Sequence, residues 1–219
     1  MAELLTIAQA QERVLSASRR LPEEKVEIER ALDRVLAGDV VAAGEVPSFR
    51  ASAMDGYAVR AGASGRTLSV TGESRAGSPF LGGCGEAEAI RISTGAAVPA
   101  GADAVIRQED VEPDGPRLRT MADVVPGANI RAAGEDMRAA AVVLPAGTVL
   151  RSGELGAAVA AGLRSVTVSR RPRACILCTG DELRAPGEPL GPGQIHNSNA
   201  PMLTALALRC GAVVAPARR

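Results

Sequence analysis

Five polar side chains in four loops, with two more at a helix start, carry most of the chemistry that this sequence can offer. Ser52-Ala-Met-Asp55-Gly56-Tyr57 holds a carboxylate beside the only tyrosine, with Phe49 just upstream. Ser93-Thr94-Gly95-Ala96 follows the apolar run AIRI. Asn129-Ile-Arg131-Ala-Ala-Gly134-Glu135-Asp136 combines a guanidinium with two acids, and Thr179-Gly180-Asp181-Glu182 follows ACILC. Asp55, Asp136 and Glu182 can hold a hard cation such as Mg2+, which often takes one or two carboxylates and completes its shell with substrate phosphates. Thr94 and Arg131 can receive an oxyanion. Ser198 and Asn199 open a helix whose free N–H groups can face an anion, although these residue types are also ordinary helix caps. Read alone, Asp55-Gly56 is a turn leading into the strand AVR. The sharper reading projects Asp55 into a cleft, with Gly56 permitting the bend. Taken singly, each of these residues is more often a solvated loop residue. The sequence contains no Walker loop, dinucleotide-binding glycine fingerprint or serine nucleophile elbow.

These loops need elements to position them. Thr6-Ile-Ala-Gln9 is a capping box, and Ile7, Val14 and Leu15 share a face, so the spacing predicts a helix over 6–19. VEIER alternates as a strand. ALDRVLAG clusters Leu32, Val35 and Leu36 before Gly38 and reads as a short helix, and DVVA as a brief strand. From 45 to 146 Gly and Pro recur between short apolar runs (YAVR, TLSV, EAIRIS, DAVIRQ, PRLRT, VVL), the pattern of a compact β-rich domain. Residues 147–170 resume the mixed helix and strand pattern of residues 27–44, with GTVL, the small-residue helix SGELGAAVAAGL and the strand SVTVS. Segments 27–44 and 147–170 therefore group together, with the β-rich domain inserted between them. Residues 171–219 read as strand RACILC, a long Gly/Pro-rich loop, helix APMLTALALRCG with Met202, Leu203 and Leu206 inward, and strand AVVAP. This is a βαβ unit. A two-stranded parallel sheet cannot bury both faces, so this α/β domain is expected to be incomplete within the chain.

Composition excludes some classes. The 25 basic and 25 acidic residues balance, against the basic excess of a general nucleic-acid binder. Aromatics make up 1%, which removes the platforms on which bases stack. The opening MAELLTIAQAQERV lacks a basic start and an apolar run, and no apolar segment reaches the roughly 18 residues of a membrane span. A cytoplasmic protein without membrane partners is expected. Cys175 and Cys178 form a CxxC, but no second pair exists and His196 is the only histidine. Both thiols are expected to lie in the core, pointing to opposite faces of a buried strand.

Together, VPSFRASAMDGYAVR, IRISTGAAVPAGADAVIRQED, GANIRAAGEDM, LPAGTVL, CTGDEL and GPGQIHNSN resemble one family, the molybdopterin molybdenumtransferases (the MoeA type, related to the C-terminal part of gephyrin). The strings keep family order from about residue 30 to the end of the chain. The resemblance implies a multidomain α+β and α/β protein. An elongated linker subdomain carries the inserted β-rich domain and precedes the start of a doubly wound α/β, molybdopterin-binding domain, against which the N-terminal helix within 1–26 packs. It implies Mg2+-dependent hydrolysis of adenylated molybdopterin, insertion of molybdenum from molybdate into the dithiolene, and release of AMP. It also implies a cytoplasmic homodimer, with molybdopterin adenylyltransferase and molybdoenzymes as further partners. The β-rich domain would reach the other protomer's pterin pocket.

By position, Asp55 and Asp136 match the family's active-site aspartates, and Thr94 and Arg131 match residues lining the same cleft. Glu182 matches an acid beside the pterin pocket, where Ser198 and Asn199 are further substrate-binding candidates. Mg2+ would fall to Asp55, Asp136 and Glu182, and Tyr57 would pack to fix its loop. Asn197 replaces a family Asp and removes a charge. Family members are much longer, so a C-terminal truncation is expected, and the alternative to a working enzyme is an inactive fragment serving as a dimerising or partner-binding scaffold.

Overall fold

The computed structural model describes residues 5–215. The chain divides into two compact units. One runs from Val41 to Val143 with Ala160–Leu163, and the other takes the residues up to Val40, Leu144–Val159 and those from Arg164 onward.

The Val41–Val143 unit is built on a six-stranded sheet. In spatial order its strands are Ala104–Arg107, Gly56–Val59, Glu88–Ile92, Thr67–Ser74, Arg117–Thr120 and Val111–Asp114. Only Thr67–Ser74 and Glu88–Ile92 run parallel to each other. Successive residues of a strand face opposite sides, and here both sides are apolar. Val59, Ala89, Ala104 and Ile106 join one buried cluster, and Ala58, Ile90 and Val105 join another. Small and β-branched side chains fill both layers, as the scarcity of aromatics requires. Cys84 belongs to the second layer, where burial pushes its thiol pKa up.

In the other unit Glu23–Glu27 pairs antiparallel with Ser165–Ser169. The expected strand VEIER therefore lies slightly nearer the N-terminus, and Ile28–Arg30 is a single 3-10 turn. The helix expected over ALDRVLAG is not formed. Val35 bridges Val149, Leu36 bridges Val168, and the Leu36 amide donates to the Thr148 carbonyl at 2.9 Å. Long-range partners outcompete the local apolar spacing, and Asp33 with φ 58° interrupts any helix. The helices Ile7–Ala17 and Ser152–Ala160 and the strand Ser165–Ser169 form where the sequence predicts them. Thr6 and Gln9 make both bonds of the capping box. The apolar face of that first helix is uncovered, with Ile7 80% and Leu15 72% exposed.

Arg173–Cys175 and Val213–Ala215 pair in parallel around the helix Asn199–Arg209, completing the expected βαβ unit. Two details differ. The first strand ends at Cys175, which is itself exposed, and Cys178 lies beyond it, half-buried. Met202, Leu203 and Leu206 are exposed, whereas Ala200, Thr204 and Ala207 are the partly covered positions. A two-stranded sheet is too narrow to cover a helix face of that width. No described helix is long and apolar enough to cross a membrane.

Candidate active site

Ala51–Ser52 pairs antiparallel with Ile130–Arg131, matching Ser52 with Ile130 and Ala51 with Arg131. This register joins the SAMDG string to the NIR string. Ser52 is buried and organises its loop. Its hydroxyl donates to the Met54 carbonyl at 2.6 Å, and its own carbonyl accepts from the Gly95 amide at 2.8 Å. The Ser52 amide donates to Ala96 O at 2.9 Å, so the STGA loop is held against the aspartate loop.

Thr94 then clamps Asp55. Its backbone N–H and its hydroxyl both donate to Asp55 Oδ1, at 2.7 and 3.0 Å. These bonds hold the exposed Asp55 carboxyl below its ordinary pKa, with a smaller contribution from the positive charge of Arg91. The group is therefore ionised at neutral pH. It suits cation binding or charge stabilisation rather than proton transfer, which works best with a pKa near the working pH.

Gly56 has a different role from the one its type suggests. Its φ lies outside the left-handed region. A Cβ there would overlap the Ile106 carbonyl oxygen and come within 3.0 Å of Arg107 Cα. Glycine is needed because the neighbouring strand passes so close, not to permit a bend. Tyr57, next along, packs against the buried cluster containing Val59 and Ile106.

The second acidic loop has further anchors of its own. Asn129 sits at φ 54° with its side-chain N–H donating to Val105 O at 2.8 Å, and its carbonyl accepts from Ala53 N at 2.9 Å. The Gly134 and Asp136 amides donate to Pro47 O and Val46 O, each at 2.9 Å. Arg131 donates to Glu135 Oε1 at 3.1 Å and to Asp136 Oδ1. These acids raise its pKa and fix the orientation of the Asp136 carboxylate.

Beside Asp55 lies a cavity of about 160 Å³ whose polar lining is Asp55, Tyr57, Arg91, Ser93 and Gln108. The loop motifs of the sequence do not single out Arg91 or Gln108. The available signal was an arginine inside the otherwise apolar run AIRI, where it is the one exposed position.

Glu182 lies exposed in the other unit, next to a cavity of about 550 Å³ lined by Cys178, Thr179, Gly180, Arg184, Glu188 and Asn197 among others. Ser198 makes no side-chain capping bond. Asn197 supplies it instead, with Oδ1 accepting from Ala200 N at 3.1 Å. Asn197 and Ala200 line the cavity, rather than Ser198 and Asn199. Among the described residues no three His, Cys, Asp or Glu side chains converge as a metal cluster.

The segment containing the Asp55, Thr94 and Arg131 loops matches a family described as "MoeA N-terminal region (domain I and II)", over residues 5–162. The chain belongs to the MoeA family. It is 39% identical over 203 residues to a molybdopterin molybdenumtransferase of Haemophilus influenzae, covering 90% of this chain and 50% of that protein. It is 38% identical over 196 residues to molybdopterin molybdenumtransferase 2 of Mycobacterium tuberculosis, covering 86% and 48%. A molybdopterin biosynthesis MoeA protein from Pyrococcus horikoshii OT3 superposes with a TM-score of 0.88 at 33% identity, covering 99% of this chain and 61% of that one. This MoeA-family chain spans about half the length of the curated relatives it matches.

Proposed function

We propose that this chain takes part in molybdenum cofactor biosynthesis, providing a site at which adenylated molybdopterin is hydrolysed and molybdenum from molybdate is inserted, with AMP as product. The observation that carries the reading is the Thr94–Asp55 clamp, an ionised carboxylate held in place at the mouth of a small polar cavity on the family's own strings.

In this reading Asp55 binds Mg2+ together with substrate phosphates, a donor set in keeping with that ion's preference for few protein carboxylates. When bound, Mg2+ supplies charge neutralisation for the phosphoryl oxygens. Asp55 anchors and orients that charge. Thr94 keeps its carboxylate ionised and immobile. Asp136, oriented by Arg131, presents the second carboxylate. Glu182, Ser198 and Asn199 are assigned to pterin binding as residues that flank, without lining, the larger cavity, whose volume falls in the usual range for organic ligands, about 300–1,000 Å³. We assign the protein to the cytoplasm as a homodimer, with molybdopterin adenylyltransferase and molybdoenzymes as partners.

The test supplies the 219-residue chain with adenylated molybdopterin, molybdate and Mg2+ and follows AMP. Release by the wild type and loss in Asp55→Asn is expected. Release by both would remove Asp55 from the reaction. A second reading, an inactive dimerising or partner-binding scaffold, is favoured by the exposed apolar faces at Ile7, Val14 and Leu15 and at Met202, Leu203 and Leu206, since contiguous apolar surface marks interaction sites. Absence of AMP from the wild type together with a stable dimer would select it.

A further inference from the structure

We propose that Arg91 is the anion-holding residue of the Asp55 cavity, its guanidinium binding a tetrahedral oxyanion, either molybdate or a phosphate group of the adenylated substrate, while Asp55 faces the accompanying cation. The inference deepens the molybdenum-insertion reading and rests on it for the identity of the anion.

Arg91 is the one exposed residue of the strand Glu88–Ile92. Its pairing places it opposite Tyr57 on one side and Glu73 on the other, and residues directly opposite share a sheet face. Both nearby acids are engaged elsewhere. Glu73 pairs with Arg75 at 2.6 Å, and Asp55 Oδ1 accepts twice from Thr94. Among the described residues Arg91 makes no ion pair. Arg91 therefore lines the cavity, and its guanidinium is engaged by no side-chain hydrogen bond or ion pair among the described residues. Arg131, the oxyanion candidate suggested by sequence, is already tied to Glu135 and Asp136.

Size decides the ligand class. A cavity of about 160 Å³ is several times the roughly 30 Å³ share of one water, and well below the roughly 300 Å³ at which pockets begin to enclose drug-sized molecules. That volume suits an oxyanion with part of its hydration shell rather than a whole pterin or nucleoside. Ser93 and Gln108 on the rim supply neutral donors, and a planar guanidinium can bind such an anion bidentately. The charge of Arg91 also helps to keep Asp55 ionised, so the cavity offers one clamped negative group and one unpaired positive group. That polarity matches a metal–oxyanion pair.

The experiment is calorimetric titration of the purified 219-residue chain in Mg2+ with molybdate, inorganic phosphate and AMP, run in parallel on Arg91→Gln and Arg91→Lys. Tyr57 fluorescence gives a second readout, because the chain has no tryptophan and no other tyrosine. Arg91→Gln is expected to weaken anion binding by about tenfold or more, the loss of a hydrogen bond to a charged group. Arg91→Lys, which keeps the charge but loses the fork, is expected to fall between. A loss confined to molybdate identifies that anion as the ligand, and a loss confined to phosphate and AMP identifies the phosphate group. A wild-type chain that binds none of the three, or an Arg91→Gln chain that binds as tightly as wild type, overturns the proposal. Should Arg91→Gln fail to fold, an Arg91→Lys chain binding like wild type overturns it equally. The two readings fail separately. AMP release with unchanged anion affinity in Arg91→Gln sinks only the Arg91 assignment, and Arg91-dependent anion binding without AMP release sinks only the catalytic one.

Discussion

Replacing Gly56 by alanine adds one methyl group, and the structure states where it must go. The new Cβ overlaps the Ile106 carbonyl oxygen and comes within 3.0 Å of Arg107 Cα. Both obstacles are backbone, in the strand that pairs with Gly56–Val59 through Gly56–Arg107 and Tyr57–Ile106. No side chain can rotate away, so the strand pair must separate. Overpacking of this kind costs about 1–3 kcal/mol, which for a chain of this length lowers the midpoint of thermal unfolding by roughly 2–12 °C. Gly44→Ala is the control. Nothing lies within 4 Å of its Cβ position and its φ is not left-handed, so it should be neutral or stabilise by about 0.4–1 kcal/mol through the unfolded chain. Urea and thermal unfolding followed by Tyr57 fluorescence reads the residue next to the substitution, with no other tyrosine or tryptophan to interfere. A Gly56→Ala midpoint equal to that of wild type or of Gly44→Ala would refute the close-approach explanation and restore the simple turn.

Other consequences concern the charged groups and the caps. Thr94→Val removes the hydroxyl donor but not the amide, so the Asp55 carboxyl should rise toward, yet stay below, its ordinary value of about 3.9. A carbon-detected NMR titration that shows no movement would contradict the clamp. Because the folded pKa of Asp55 is depressed, its contribution is fully present above about pH 4 and lost only as pH falls through the lower folded value. Mg2+ affinity should therefore be flat from about pH 5 to 8 as far as Asp55 is concerned, and a midpoint near neutrality would show that another group binds the ion. Arg131→Met frees the Asp136 carboxylate and should cut AMP release by up to about 100-fold, the scale of effect expected when a reacting group is misplaced; unchanged release would confine Arg131 to a structural role. Asn197→Ala should destabilise the helix Asn199–Arg209 by about 1 kcal/mol. Asn197→Asp keeps the acceptor and adds a favourable charge at the helix start worth about 0.3–1 kcal/mol. Hydrogen exchange in that helix checks both.

The features legible in the sequence are those whose physics is local. Thr6 and Gln9 form their capping box because both partners lie within one helical turn. The strands YAVR, TLSV, EAIRIS and DAVIRQ sit where turn residues bound short apolar runs. The βαβ order follows from alternating strand and helix patterns. The polar loops are visible by residue type, and their joint resemblance to one family is legible without any geometry. What only the tertiary structure decided are the matters settled by a partner distant in the chain. The apolar spacing of ALDRVLAG looks helical, yet Leu36 and Ala37 bond instead to Thr148 and Thr167. Gly56 reads as a bend until Ile106 is seen passing beside it. Arg131 and Arg91 are the same residue type in neighbouring motifs, and no sequence rule says which is committed. Folding places two carboxylates on Arg131 and leaves Arg91 open to the cavity. The leucines of the last helix face solvent because the two strands beside it are too narrow to cover them. A side chain's type is written in the chain, but its free hydrogen-bonding capacity is what remains after distant neighbours have taken their share.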